Sequence, residues 1–349
     1  MKAVNNIRSF LYRNAEHADD LADLDLGTDP AEVLKGAHSV WNQRFEELYK
    51  KDFNFARSDA GEELLYGEAC KLVRPYKELF KGTITGNDFL FIGEGVLARE
   101  GFVPDKDIAG YGREYGEFGY TGRSREFSSS DGLFLSALLN ETDLESMFVD
   151  WYPARLWGLG YRLKEGKTAI VGPEARLGDL GEKAEGGATL VYGEVMIRMA
   201  KSASGGVHLN MGRRSRHTTD DWNVSMGEKS TGGIFINFDV CGKMGENAAN
   251  GTFIQLGKFG KGANDIGEHA AGAVCVGVEN PQYNNHYYSH NVSRYETKYG
   301  KDEALKVMLN ELARERPFFF LEKKPDILKI KDVARKVDAH VRMNYPRRA

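Results

Sequence analysis

The chain has 349 residues, of which 41% are hydrophobic and 28% charged, and its formal net charge is −4. This length is large for one compact core, so two units are expected, and the small net charge gives no global attraction to nucleic acid or to membranes. No run approaches the roughly 20 apolar residues that span a bilayer, and residues 1–8 lack the apolar run of a signal peptide. An odd number of cysteines (Cys70, Cys241 and Cys275) without paired spacing further indicates reduced thiols and a cytoplasmic protein.

Residues 1–160 predict a mostly helical N-terminal domain with a short β segment near residues 83–127. Asp29 and Pro30 are typical of a helix start. Apolar residues then recur at helical spacing: Val33, Leu34, Ala37, Val40, Trp41, Phe45 and Leu48. A second helix from about Gly61 should end or kink at Pro75, and its apolar side carries Leu64, Leu65, Ala69, Leu72 and Val73. A third helix is predicted from Asp131 to Tyr152.

Residues 161–281 contain a repeat whose period is roughly twenty residues, a spacing typical of stacked repeat architectures. Its six segments start at Gly166, Gly187, Gly206, Gly233, Gly251 and Gly272. We therefore predict an α+β protein in which these residues form a right-handed parallel β-helix, a single-stranded solenoid of about six rungs. Helical N- and C-terminal segments should flank it. Residues 282–349 form the C-terminal cap, with helices from Asp302 to Arg316 and from about Lys329 to Met343.

Side-chain alternation within each segment predicts which residues point inward. Counted from the marker glycine, positions 1, 3 and 5 should face the interior, and position 3 stacks Leu190, Leu209, Ile236 and Ile254. Position 4 stacks three amides that can hydrogen-bond along a parallel ladder: Asn210, Asn237 and Gln255. Position 2 should face outward with His208, Phe235, Phe253 and Val274. Aromatic rings on that face should be covered by a helical segment.

The segment Gly251-Thr-Phe-Ile-Gln-Leu-Gly-Lys-Phe-Gly-Lys-Gly resembles the Gly-x-Gly-x-Gly solenoid. That solenoid occurs at the C-terminus of the large polypeptide of glutamate synthase and in one component of formylmethanofuran dehydrogenase. The resemblance covers residues 166–280 or so, and it implies a structural element from which no catalytic residue can be carried over. It favours a non-catalytic scaffold or subunit of a larger cytosolic assembly, with a protein partner and with neither cofactor nor metal.

One step of the repeat, from Gly206 to Gly233, is 27 residues by subtraction and therefore contains an insertion. Its candidate binding residues are Arg213, Arg214, Arg216, His217, Asp220, Asp221 and Trp222. Arginines suit an anionic ligand or partner and tryptophan supplies a stacking surface. The competing interpretation is a solvated loop that its two aspartates neutralise.

Two further groups are secondary candidates. The residues Asp150, Trp151, Tyr152 and Arg155 suit either a ligand cleft or, preferably, a domain-junction core. His286 and His290 would share one face of a helix, as metal ligands do, but Pro281 and the neighbouring asparagines favour a loop.

Two other function classes stay open. One is an enzyme that acts on a carbohydrate or another polar substrate in a cleft on the solenoid flank, with unknown catalytic residues. The other, less favoured, is a nucleic-acid-binding factor that uses the insertion and the basic tail, which ends in Arg347 and Arg348.

Overall fold

The structure is a computed structural model. It describes residues 30–52, 55, 58–85, 122–149, 156–172, 175–192, 194–211, 225–238, 242–256, 266–277, 302–315, 326–345 and 347. The chain divides into two compact units, Met1–Tyr161 and Arg162–Ala349. Within the described ranges, no helix is both long and apolar enough to cross a membrane.

The first unit contains three α-helices and two strands among its described residues. In chain order these are α1 (Pro30–Lys51), α2 (Asp59–Val73), β1 (Lys81–Thr85), α3 (Gly122–Glu141) and β2 (Asp143–Val149). The two strands pair in parallel. The side chain of Ser58 caps α2 by accepting a hydrogen bond from the Gly61 N–H at 3.2 Å, which satisfies one of the free donors of a helix start.

The helical periodicity of the first unit identifies most of its core. The predicted stripe of α1 is buried from Val33 to Phe45, and the indole N–H of Trp41 donates to the Leu65 carbonyl at 2.9 Å. On α2 the prediction is wrong for Leu64, which is 46% exposed. Both predicted ends of the third helix are wrong, since it begins at Gly122 and ends at Glu141. At its end the Thr142 hydroxyl donates to the Leu138 carbonyl at 2.6 Å, and such bonds compete with continued helix.

The second unit contains ten strands and two helices among its described residues. The strands are β3 (Thr168–Val171), β4 (Arg176–Leu180), β5 (Ala188–Val191), β6 (Glu194–Met199), β7 (Val207–Asn210), β8 (Ser225–Met226), β9 (Ile234–Asn237), β10 (Lys243–Met244), β11 (Thr252–Gln255) and β12 (Val274–Gly277). Up to β11 the chain alternates between two sheets. The larger one runs β3-β5-β7-β9-β11-β12 in this unit, and the smaller one runs β10-β8-β6-β4.

The prediction of an α+β protein with a right-handed parallel β-helix of about six rungs is wrong. The described residues form a mostly parallel eight-stranded sheet, a four-stranded parallel sheet and five α-helices, which is an α/β-type fold. Parallel pairing also occurs outside the glycine-marked residues, between β1 and β2. The spacing of the glycines gives the number of residues between one strand and its next parallel neighbour. It therefore indicates parallel strand pairing but does not determine the overall architecture.

Within the second unit, the strands of the larger sheet keep one register, which aligns their side chains into rows. Leu190, Leu209, Ile236 and Ile254 form one row, as the repeat predicts. At the end of the sheet the register pairs Phe253 with Cys275, so Cys275 and not Val274 continues the row of His208 and Phe235. Aligning the last segment on Gly272 therefore places its residues one position out of register with the preceding strands.

The predicted orientation of these rows is reversed. A Cβ added to Gly227 or Gly245, in the turns that follow β8 and β10, would lie against the Phe253 ring. The position-2 side chains therefore face the smaller sheet. Positions 1 and 3 face a helix instead, because the Thr252 hydroxyl donates to Asp338. Every residue of β5, β7, β9 and β11 is buried, so alternation carries no polarity contrast by which to tell the two faces apart.

Two C-terminal helices, α4 (Glu303–Arg314) and α5 (Ile327–Asn344), complete the second unit. Helix α5 packs on β9 and β11 and buries Ile330, Val333, Ala334, Val337 and Val341. Asp302 caps α4 and accepts hydrogen bonds from His340 at 2.7 Å and from the Tyr345 hydroxyl at 3.1 Å. Although burial favours the neutral acid, these bonds and the Leu305 N–H hold the pKa of Asp302 below its ordinary value.

Candidate functional site

The candidate residues from the sequence lie outside the described residues. These are Arg213, Arg214, Arg216, His217, Asp220, Asp221, Trp222, Asp150, Trp151, Tyr152, Arg155, His286 and His290, together with Cys241. The structure does describe both ends of the insertion, which begins after β7 and ends at β8. The insertion therefore belongs to a crossover from the larger sheet to the smaller one.

The space between the two sheets is filled by a stack of rings. The Phe235 and Phe253 rings lie 4.6 Å apart at an interplanar angle of 8°, and the His208 ring lies 5.0 Å from that of Phe235. All three side chains are fully buried. The predicted burial of both phenylalanines is thus confirmed, but glycine-bearing turns of the smaller sheet contact the rings in place of a helix.

The histidine in this stack is held neutral by its surroundings. The His208 Nε2 lies 3.1 Å from the Gly205 carbonyl and its Nδ1 lies 2.9 Å from the Thr189 hydroxyl. A carbonyl can only accept, so Nε2 carries the proton and Nδ1 accepts from Thr189. Burial lowers the pKa of His208 to about 4, against which the bond to Gly205 acts. The side chain is therefore a packing and hydrogen-bonding group at neutral pH.

Of the amide ladder predicted from position 4, the step between Asn237 and Gln255 is confirmed. The Asn237 side chain donates to the Gln255 side chain at 2.7 Å, and both residues are buried on the same face as the ring stack. The bond gives each buried amide a hydrogen-bond partner. It also connects β9 to β11 in addition to their backbone hydrogen bonds.

Charged side chains recur in the turns that follow the strands of the smaller sheet. Successive turns carry Glu182, Lys201, Glu228, Glu246 and Glu268 at one position, and backbone hydrogen bonds link each turn to the next. Lys201 pairs with Glu182 at 3.3 Å, and Lys243 pairs with Glu246 at 2.8 Å. The sequence contains a signal for these turns that glycine spacing alone does not reveal. It is the triplet of an apolar residue, glycine and glutamate, which recurs at residues 180–182, 226–228, 244–246 and 266–268.

Beside these turns lies a charge cluster made of Asp179, Glu182, Arg198 and Lys201. Asp179 on β4 faces Arg198 on β6, with the carboxylate Oδ1 3.4 Å from the guanidinium Nε. Neither of these two atoms is exposed to solvent, and neither has a hydrogen-bond partner among the described residues. The two atoms therefore form a long ion pair instead of a well-aligned hydrogen bond.

The environment of Asp179 raises the pKa of its carboxyl group. Burial raises the pKa of Asp179 to about 6, Glu182 adds to this effect, and Arg198 and Lys201 oppose it. A carboxyl group that exchanges its proton near neutral pH is one mark of a functional site, although structural ion pairs produce the same shift. The charge cluster thus brings together two ion pairs, Asp179 with Arg198 and Glu182 with Lys201, among the described residues of the second unit.

The first unit contains a second buried pair. The His38 Nε2 on α1 lies 2.8 Å from the Asp131 Oδ1 on α3, and both residues are nearly inaccessible to solvent. The Phe134 ring meets the His38 ring edge-on at 5.1 Å. His38 lies on the buried side of α1, one residue after Ala37. This position in the helix is the only sequence signal for the pair. Enclosed by aromatic side chains, the pair connects two helices.

Comparison with known proteins gives no match for the chain. No family model matches it, and neither a curated protein nor a solved structure does. The resemblance of residues 166–280 to the Gly-x-Gly-x-Gly solenoid accordingly stays a prediction. What the chain can bind must be inferred from its own residues and their geometry.

Proposed function

We propose that the chain is a non-catalytic scaffold or subunit of a larger assembly, and that it contacts a partner or an anionic ligand through residues 213–222. The length of one crossover supports this proposal. From β7 to β8 the chain uses 14 residues, Met211 to Val224 by numbering, against two from β5 to β6 and five from β9 to β10. Even the crossover from β11 to the bridge at Ile266 is shorter, with ten residues, 256–265.

The strands on either side of the insertion are complete without it. All four residues of β7 pair with β5 on one side and with β9 on the other, and β8 pairs with both β6 and β10. Residues that are not needed for strand pairing are free to serve recognition, which is where binding residues of loops commonly occur. Three arginines close together favour carboxylate or phosphate groups on the partner.

The scaffold part of the proposal is supported by how the interior of the second unit uses its polar groups. His208, Thr189, Asn237 and Gln255 hydrogen-bond to one another or to backbone between the sheets. These contacts hold a fixed register of strands, and a fixed register is what a loop needs if it is to be presented at a constant position.

The test replaces the charge and leaves the fold intact. Heparin serves as a model polyanion, and we expect the wild-type chain to bind it at physiological ionic strength. The triple variant Arg213→Ala, Arg214→Ala, Arg216→Ala should lose at least tenfold in affinity with an unchanged melting temperature. The matched control removes three cations whose side chains are more than 60% exposed elsewhere, namely Lys71, Lys77 and Lys336, and should bind like wild type.

Either of two results would contradict the proposal. Equal heparin affinity of the triple variant and the control would show that the insertion is not the contact. Loss of folding in the triple variant would show that the insertion is structural. If RNA or DNA binds far more tightly than heparin, with a steep salt dependence, the nucleic-acid alternative replaces the scaffold. Turnover of an oligosaccharide by the purified chain would replace it with the enzyme alternative.

A further inference from the structure

The charge cluster owes its geometry to an irregularity in the smaller sheet. The register shifts between Leu177 and Asp179, because β4 advances two residues where β6 advances three, from Val195 to Arg198. An extra residue of this kind bends one strand and redirects its side chains. It sets the Arg198 guanidinium directly across from the Asp179 carboxylate, on the face opposite to the buried Leu180 and Met199.

Arg198 has more than one carboxylate within electrostatic reach. Burial acts to lower the pKa of Arg198, but Asp179, Glu182 and Glu228 together raise it above its ordinary value. Its contact with Asp179 is outside hydrogen-bond geometry. The guanidinium, whose side chain is 35% exposed, can therefore exchange one anionic neighbour for another by rotating its side chain.

The charges that face Asp179 come from three places. Arg198 lies on the neighbouring strand, Glu182 in the turn after β4, and Lys201 in the turn after β6. When the Asp179 carboxylate takes up a proton, its attraction for Arg198 disappears, while Glu182 and Glu228 keep theirs. Burial already brings the pKa of Asp179 to about 6, so this exchange falls in a range that cells reach.

We propose that the charge cluster is a proton-sensitive switch in which Arg198 pairs with Asp179 when that carboxylate is ionised and with Glu182 and Glu228 when it is protonated. The change moves one positive charge away from Asp179 on β4 and toward the turns that follow β4 and β8, which carry Glu182 and Glu228. It is independent of the insertion and of its binding partner.

Nuclear magnetic resonance of the full chain tests the switch directly. The ¹³C shift of the Asp179 carboxyl group and the ¹⁵N shift of Arg198 Nε are followed from pH 4 to pH 8. We expect both to titrate with one midpoint near 6. The variant Asp179→Asn should hold the Arg198 signal at its acidic position at every pH, and Glu228→Gln should reduce the size of the Arg198 shift.

A matched control is Asp332→Asn on α5, which removes an exposed carboxylate paired with Lys336 and should leave the Arg198 titration unchanged. The wild-type titration needs no substitution, so it decides the matter even if a variant does not fold. An Arg198 signal that is constant while Asp179 titrates would overturn the proposal, and so would an Asp179 midpoint near 4.

Discussion

His208 is a residue whose burial has a measurable consequence for stability. Its pKa is about 4 in the folded chain and about 6.5 when unfolded. Between these two pKa values the unfolded chain binds a proton on His208 and the folded chain does not. The contribution of His208 to the free energy of unfolding is therefore at its full value above pH 6.5 and decreases as the pH falls toward 4. The loss amounts to about 3 kcal/mol, because each unit of pKa corresponds to about 1.4 kcal/mol.

We therefore expect the variant His208→Phe, which keeps an aromatic ring beside Phe235, to show a weaker decline in unfolding free energy from pH 7 to pH 4 than wild type. Urea unfolding at several pH values measures this. The control Thr189→Val removes the hydroxyl partner but retains the imidazole, so it should lose stability at pH 7 and keep the pH dependence. Parallel curves for wild type and His208→Phe would contradict the assignment.

The hydrogen bond between His38 and Asp131 leads to a second prediction at the scale of single residues. Removing one partner of a buried hydrogen bond leaves the other polar group unsatisfied, which costs about 1–3 kcal/mol. Asp131→Ala should therefore destabilise the chain by that amount in urea unfolding. The comparison is Asp143→Ala, which breaks a more exposed pair with Lys77 at 3.9 Å and should cost less than about 1 kcal/mol. Equal effects would mean that His38 and Asp131 contribute no more than a surface pair.

At the scale of elements, the turns of the smaller sheet determine how closely the two sheets can approach. Gly227 has a φ of +70°, and a Cβ there would lie 2.5 Å from the Phe253 ring and 3.0 Å from the Phe235 ring. Gly277, in contrast, has open space around the position of an added Cβ. The same change of glycine to alanine should therefore have very different effects at these two positions.

We expect Gly227→Ala to destabilise the chain by about 2–4 kcal/mol, as the sum of backbone strain and overpacking. Gly277→Ala should change stability by less than about 1 kcal/mol, since it only alters a strand residue with free space beside it. Thermal unfolding of the two variants compares them directly. A small effect at Gly227 would show that the ring stack can move away from the turn.

The sequence predicts elements best where one side of an element is exposed. Helix α1 has such a contrast, and its buried stripe follows from spacing alone. In β9 and β11 all residues are buried, so the register can be predicted but the facing direction of Phe235 and Phe253 cannot. Strand β2 escapes prediction because its apolar residues follow α3 after a single residue, Thr142, whose side chain ends the helix.

At the scale of the whole molecule, the candidate sites differ in how visible they are to sequence reasoning. The arginines of the insertion stand out because they interrupt a regular spacing. Asp179 and Arg198 do not stand out, because 19 residues separate them in the chain, by subtraction, and only the pairing of β4 with β6 brings them together. The shifted register that aligns them leaves no mark in the residue types themselves.

The distribution of tryptophan gives the two units different optical labels. Of the four tryptophans, Trp41, Trp151 and Trp157 belong to the first unit, and Trp222 is the only one in the second. Trp41 is fully enclosed between helices and Trp157 is 8% exposed. Their emission therefore reports on the integrity of the helical core, whereas the emission of Trp222 arises within the inserted residues. Recording the fluorescence of the intact chain with and without Trp222 would thus separate events at the insertion from unfolding of the first unit.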